Sequence, residues 1–166
     1  MVRWARLRSG GKKTGPNPTD RAKGGTKRSV LVDGAGCPIG IAIDGANVHD
    51  KWLLAPTLES IPIDRPIPIP ENPQNLCLDK GYDYTDTREL VALNDYIGHI
   101  KARGEEATQK KSGRFRARRW VVERTHSWFN RFRRILIRWE KKPENYLAML
   151  HFACAFISYR LAGVLG

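Results

Sequence analysis

Hydrophobic and polar positions change rhythm several times along the chain. Residues 29–33 (SVLVD) and 38–44 (PIGIAID) are apolar over strand lengths, with Gly34, Ala35 and Gly36 between them, a pattern that predicts a β-hairpin. Residues 46–50 then lead into a helix over 51–60. Residues 61–74 (IPIDRPIPIPENPQ) carry too many prolines for a helix or a central strand. They read as an extended connector, and their PxxP spacing leaves open a ligand for a proline-recognising domain. The pattern next gives a short strand at 75–79 (NLCLD), an amphipathic helix at 85–94, a strand at 96–100 and a polar loop at 101–113. A long arginine-rich helix over 114–138 follows, and Pro143 opens a last helix over 144–162. Residues 1–28 are basic, rich in Gly, Pro and Thr, and hold no sustained period beyond a possible strand fragment at residues 2–4. They read as a flexible N-terminal segment or as an arm along a nucleic-acid backbone, ahead of one domain at 29–166. The order is α/β, with the alternation of parallel βαβ units in its second half.

The helix at 114–138 organises the reading. At 100° per residue, Val121, Thr125, Trp128, Phe132, Ile135 and Trp139 share one side, widened by Val122, Phe129 and Leu136. Glu123 lies opposite, near Arg119, His126, Asn130 and Arg134. A carboxylate there is either an ion-pair partner on a solvated face or a metal ligand among arginines that hold phosphates.

Charge narrows the choice of partner. The chain has 166 residues and a formal net charge of +12. Thirteen basic residues fall between Lys110 and Lys142, against Glu123 and Glu140. Such a density is the footprint of a polyanion-binding protein, nucleic acid before an anionic membrane. Cys37, Cys77 and Cys154 form no CxxC and no zinc spacing with the four histidines, and read as reduced thiols. No apolar run is long enough for a membrane span.

In α/β sheets, functional residues gather beyond the carboxyl ends of strands. Asp79 closes NLCLD at such a place, where it is either a turn cap or a ligand. Carboxylates from separate elements that meet on divalent ions support phosphoryl transfer. Asp79 and Glu123, on a strand end and on a helix, are such a pair.

The segments LCLDKGYDY and RARRWVVERTHSWFNRFRRILIRWEKKPENYLAMLHFACA closely resemble bacterial insertion-sequence transposases of the DDE type, in the superfamily of insertion sequences four and five, and so does TGPNPTDRAKGGTKRSVLVDGAGCPIGIAIDGANVHD. The resemblance covers nearly the whole chain. It implies an RNase H-like mixed sheet flanked by helices, with Asp79 and Glu123 as catalytic, metal-binding residues for Mg²⁺ or Mn²⁺. It also implies DNA contacts by Arg119, Arg124, Arg131, Arg133 and Arg134. The substrate would be double-stranded DNA, namely the terminal inverted repeats and the target, in the bacterial cytoplasm near the nucleoid. A homodimer and the product of an upstream reading frame are possible partners; no membrane is involved. In the family signature of Tyr, Arg, Glu and Lys, Arg119 and Glu123 match, while Arg116 and Asn130 stand at the Tyr and Lys places. The family's first aspartate is expected just before Met1, so the sheet is expected to lack its first strand, with Val2 to Leu7 as a partial substitute. Asp44 is the weak candidate for that carboxylate within the chain. On this reading residues 1–166 alone are inactive. The alternatives are a noncatalytic basic nucleic-acid binder and a decayed transposase fragment.

Overall fold

The structure, a computed structural model, describes residues 2–8, 10–100 and 119–163. In chain order its strands are β1 (Val2–Leu7), β2 (Gly15–Pro16), β3 (Gly24–Val32), β4 (Pro38–Gly45), β5 (Asn75–Leu78), β6 (Ile97–Ile100) and β7 (Ile137–Arg138). Its α-helices are α1 (Leu54–Glu59), α2 (Thr85–Leu93), α3 (Arg119–Phe129), α4 (Arg133–Leu136) and α5 (Pro143–Leu161). They fall into two compact units, residues 1–62 with 120–166, and residues 63–119.

The first unit is built on a mixed sheet. β3 pairs antiparallel with β1, β2 and β4, and β7 adds parallel to β1 through Arg6 and Leu7. The expected hairpin is present, joined at residues 33–37. Side chains of alternate strand residues face opposite ways. One face, with Ala5, Val30, Ile41 and Ile43, packs on Phe129, Ile135, Tyr146, Leu150, Ala153 and Ile157. Phe129, Tyr146 and Leu150 are fully buried, and each large apolar side chain so buried contributes about 1.5–3 kcal/mol. On the other face Thr57 of α1 donates to Ser29 Oγ at 2.9 Å, and Ser60 Oγ accepts from Ile41 N at 2.8 Å. Gly40 permits this approach, since a Cβ there would lie 2.6 Å from the Thr57 carbonyl oxygen.

The N-terminal segment differs from expectation. It holds more regular structure than a flexible stretch: Val2–Leu7, the expected partial substitute, forms β1, between β3 and β7 in the sheet order, and β3 begins at Gly24. Charge concealed most of β1 and the first half of β3. β1 holds Arg3 and Arg6 among its apolar residues, and β3 holds Lys27 and Arg28 ahead of its apolar half, although these two are 5% and 1% exposed. Lys27 Nζ pairs with Asp50 at 2.5 Å and lies 4.7 Å from the Trp4 ring centre, which offsets its desolvation.

The second unit holds the expected βαβ arrangement: β5 and β6 are parallel, in register from Asn75–Ile97 to Leu78–Ile100, with α2 between them in sequence. The proline-rich connector forms no helix or strand apart from an isolated Ile69–Asn72 bridge. Within this unit Arg65 bonds to Gln74 Oε1 at 2.9 Å and to the Asn94 carbonyl at 2.8 Å, and lies 4.2 Å from the Tyr96 ring centre. The loop expected at 101–113 lies outside the described residues. Among the described residues no helix is long and apolar enough to cross a membrane.

Candidate active site

Asp79 follows the last residue of β5, at the carboxyl end of a parallel strand. It is half-buried, and its Oδ1 accepts from the Gly81 amide at 2.8 Å, which caps the short helical turn Lys80–Tyr82. The turn-capping role and a ligand role are compatible here. One oxygen closes the turn, and the other has no hydrogen-bond partner among the described residues.

Glu123 lies on α3, with Val121, Thr125 and Phe129 on the buried side of that helix. It is exposed, and among the described residues it has no ion-pair or hydrogen-bond partner. The ion-pair reading thus finds no described partner. Of Arg119 only the backbone, in the first turn of α3, is described.

The helix expected to run to Arg138 stops at Phe129; residues 114–118 of that span lie outside the described residues. Asn130 and Arg131 form a turn, Phe132 is extended, and α4 is a single turn before β7. Continuing the helix would have carried Arg138 about 13 Å past Phe129. Instead, the break inserts Ile135 into the core and brings Ile137–Arg138 to β1. Two side chains also depart from the faces expected of them. His126, expected on the polar side, is 1% exposed with its ring centre 6.3 Å from Phe129, and Trp139, expected on the apolar side, is 49% exposed. Arg8 lies 5.3 Å from the Trp139 ring centre.

The arginines divide by task. Arg131 and Arg133 are exposed, with no ion pair among the described residues. Arg134, also exposed, pairs with Glu140 at 2.8 Å. Arg124, expected to contact DNA, has another engagement: it donates to the Ala35 carbonyl oxygen and lies 4.9 and 5.0 Å from the ring centres of Trp120 and Trp128.

Two arginines that the sequence reading passed over are buried. Arg138 is fully buried and donates to the carbonyl oxygens of Lys12, Lys13, Glu140 and Lys141 and to Thr26 Oγ1. Arg28 is 1% exposed on β3, and its Nε and Nη1 have no partner among the described residues. Burial lowers the pKa of both guanidinium groups and raises that of Tyr146, whose phenol both arginines pull back down. Tyr146 donates to the Ile135 carbonyl at 2.8 Å. The only sequence signal for either arginine is its neighbours, the apolar run Ile135–Ile137 before Arg138 and the strand at residues 29–33 after Arg28.

The donor chemistry of Asp79 and Glu123 suits a hard divalent cation, since both are carboxylates with uncommitted oxygen. Among the described residues no group of three or more His, Cys, Asp or Glu side chains is placed to hold a metal. Asp44, the weak third candidate, is on β4, and its Oδ1 accepts from the Gly45 amide at 2.7 Å.

Residues 2–157 match the family model described as a transposase DDE domain. A curated protein of Burkholderia cepacia, described provisionally as the transposase for insertion sequence element IS402, is 39% identical over 160 residues, which span 95% of this chain and 71% of that protein. No solved structure matches the chain. With its mixed sheet flanked by helices, the chain belongs to the DDE transposases of bacterial insertion sequences.

Proposed function

We propose that the chain is the RNase H-like domain of a transposase whose metal-dependent cleavage and strand transfer of DNA act at the terminal inverted repeats of an insertion sequence. Family membership implies DNA as substrate and a divalent ion, Mg²⁺ or Mn²⁺. Asp79 and Glu123 would hold it, and when bound the ion stabilises charge on the attacking and leaving oxygens of a phosphodiester. The observation that carries this reading is Glu123. It is an exposed carboxylate without a described partner, on an arginine-rich helix whose opposite side is anchored in the core. Phosphate oxygens of bound DNA would add to the two carboxylates as ligands of a divalent ion. The surrounding arginines would hold the phosphate backbone beside Glu123.

Arg131 and Arg133 are the exposed cations free to meet phosphates, with Arg134 able to exchange Glu140 for DNA and Arg119 on the same helix as Glu123. Their role is to position the strand; sequence recognition needs base contacts. Calorimetric titration of Mn²⁺ into the wild type, Asp79→Ala and Glu123→Ala tests the reading. Both variants should lose metal affinity while their DNA affinity is kept or increased, since a negative charge has been removed from a basic surface. Unchanged Mn²⁺ binding in both variants would leave the noncatalytic nucleic-acid binder as the better description.

A further inference from the structure

The turn between β3 and β4 is closed by its own first residue. Asp33 Oδ1 accepts from the amides of Ala35 at 2.9 Å and Cys37 at 2.8 Å, and backbone bonds join Asp33 N to Cys37 O and Gly36 N to Asp33 O. Its two middle carbonyls take donors from α3. Arg124 Nη2 donates to Ala35 O, and Thr125 Oγ1 donates to Gly36 O at 2.6 Å. Gly36 has φ +85°, and a Cβ there would lie 3.1 Å from Arg124 Nη2 and 3.2 Å from Thr125 Oγ1. The turn needs glycine at this position for its backbone shape and for the close approach of the helix. Cys37 Sγ, at the end of the turn, is 3.1 Å from Ser158 Oγ of α5, so the turn is tied to a second helix.

The two α3 residues held by the turn directly follow Glu123. At about 100° per residue, Thr125 and Glu123 point to opposite sides of the helix. Burial agrees, since Thr125 is 0% exposed and Glu123 is exposed. Apolar packing alone would let a short helix slide or roll by small amounts. Two directed bonds to a rigid turn fix its rotation, and with it the direction of the carboxylate.

We propose that the Asp33–Cys37 turn is a positioning device for Glu123, and that Thr125 and Arg124 are its positioning residues. The proposal rests on the reading of Glu123 as a metal ligand. Groups that orient a ligand without touching the metal typically govern about 10–100-fold in metal affinity.

The test measures Mn²⁺ affinity by calorimetry and Tm on the full 166-residue chain, for the wild type, Glu123→Ala, Thr125→Val, Thr125→Ser and Arg124→Met. Val keeps the shape of Thr and removes the donor; Ser keeps the donor. Thr125→Val should weaken Mn²⁺ binding about tenfold, Thr125→Ser should restore it, and Arg124→Met should weaken it in the same direction. A purely structural role would lower Tm and leave affinity unmoved. If Thr125→Val fails to fold, Arg124→Met, on the helix flank, supplies the same comparison. Loss of binding in Glu123→Ala with unchanged affinity in the folded positioning variants would overturn the inference and leave the metal site standing. Unchanged binding in Glu123→Ala would overturn both.

Discussion

Replacement of Arg138 should unfold the first unit more readily than replacement of any exposed arginine. Its guanidinium makes five hydrogen bonds, the shortest 2.7 Å to Thr26 Oγ1, and holds residues 12–13 and 140–141 against β3. Five charge-assisted bonds taken as independent would rival the whole stability of a domain, about 5–15 kcal/mol. They are not independent. Lys12 and Lys141 are exposed residues whose carbonyls can turn to water, and the buried cation itself carries a desolvation cost. What is lost is chiefly the inner network, in which Thr26 Oγ1 donates to Lys13 O at 3.0 Å while it accepts from Arg138. Arg138→Met, which keeps the stem, should then cost about 3 kcal/mol, and Arg138→Ala about 4 kcal/mol with its cavity. Arg138→Lys should fall between wild type and Met, since an ammonium cannot reach acceptors spread around a planar fork. Urea unfolding followed by tryptophan fluorescence reads this as a midpoint lowered by about 1.5 M for Met, at an m-value of about 2 kcal/mol/M. A loss below about 1 kcal/mol in the Met variant, an ordinary surface effect, would refute the reasoning.

Further outcomes follow from charge and titration. Duplex affinity should fall steeply with salt, because counterions are released at each neutralised phosphate. Arg131→Ala with Arg133→Ala should flatten the salt slope and weaken unrelated sequences alike; a salt-insensitive titration would contradict this. Burial pushes the Cys154 thiol up from 9.0 to about 12. The unfolded thiol therefore ionises first, so this stabilisation is complete below pH 9 and lost as pH rises toward 12. Tyr146, raised by burial, acts in the same direction. The urea midpoint should fall over that range, and less so in Cys154→Ala. Any Mg²⁺-dependent cleavage of inverted-repeat ends should be lost in Asp79→Asn and in Glu123→Gln, with folding kept; cleavage also lost on Asp44→Asn would place a third carboxylate at Asp44.

The hairpin and the βαβ unit were legible because their apolar positions follow strand and helix periods and end at Gly, Pro or Asp. Asp79 was legible as a residue beyond a strand, and Glu123 as the one acid in a basic helical stretch. The break after Phe129 was not, since the helical period of apolar residues persists through Ile135. What decides it is the pairing of Ile137–Arg138 with β1, a contact distant in sequence. β1 was legible only as a possible fragment at residues 2–4, for a related reason: a strand is stabilised by its neighbours as much as by its own residues, and VRWARL pairs with β3 and β7. The second task of Arg124 was hidden because charge alone does not say whether an arginine meets phosphate or a carbonyl of its own chain.

Lys27 and Arg28 are adjacent cations on opposite faces of β3, Lys27 toward Asp50 and Trp4, Arg28 toward Tyr146. A slip of one residue in the pairing of β3 would exchange them. Lys27 would then leave Asp50 and Trp4 for the side of Tyr146, and Arg28 would leave Tyr146, each cation losing the contacts of its native register. Two buried cations displaced from their contacts at once would cost several kcal/mol. The doublet that hid the start of this strand in the sequence thus acts as a proofreader of its register, since a misaligned hairpin is penalised twice.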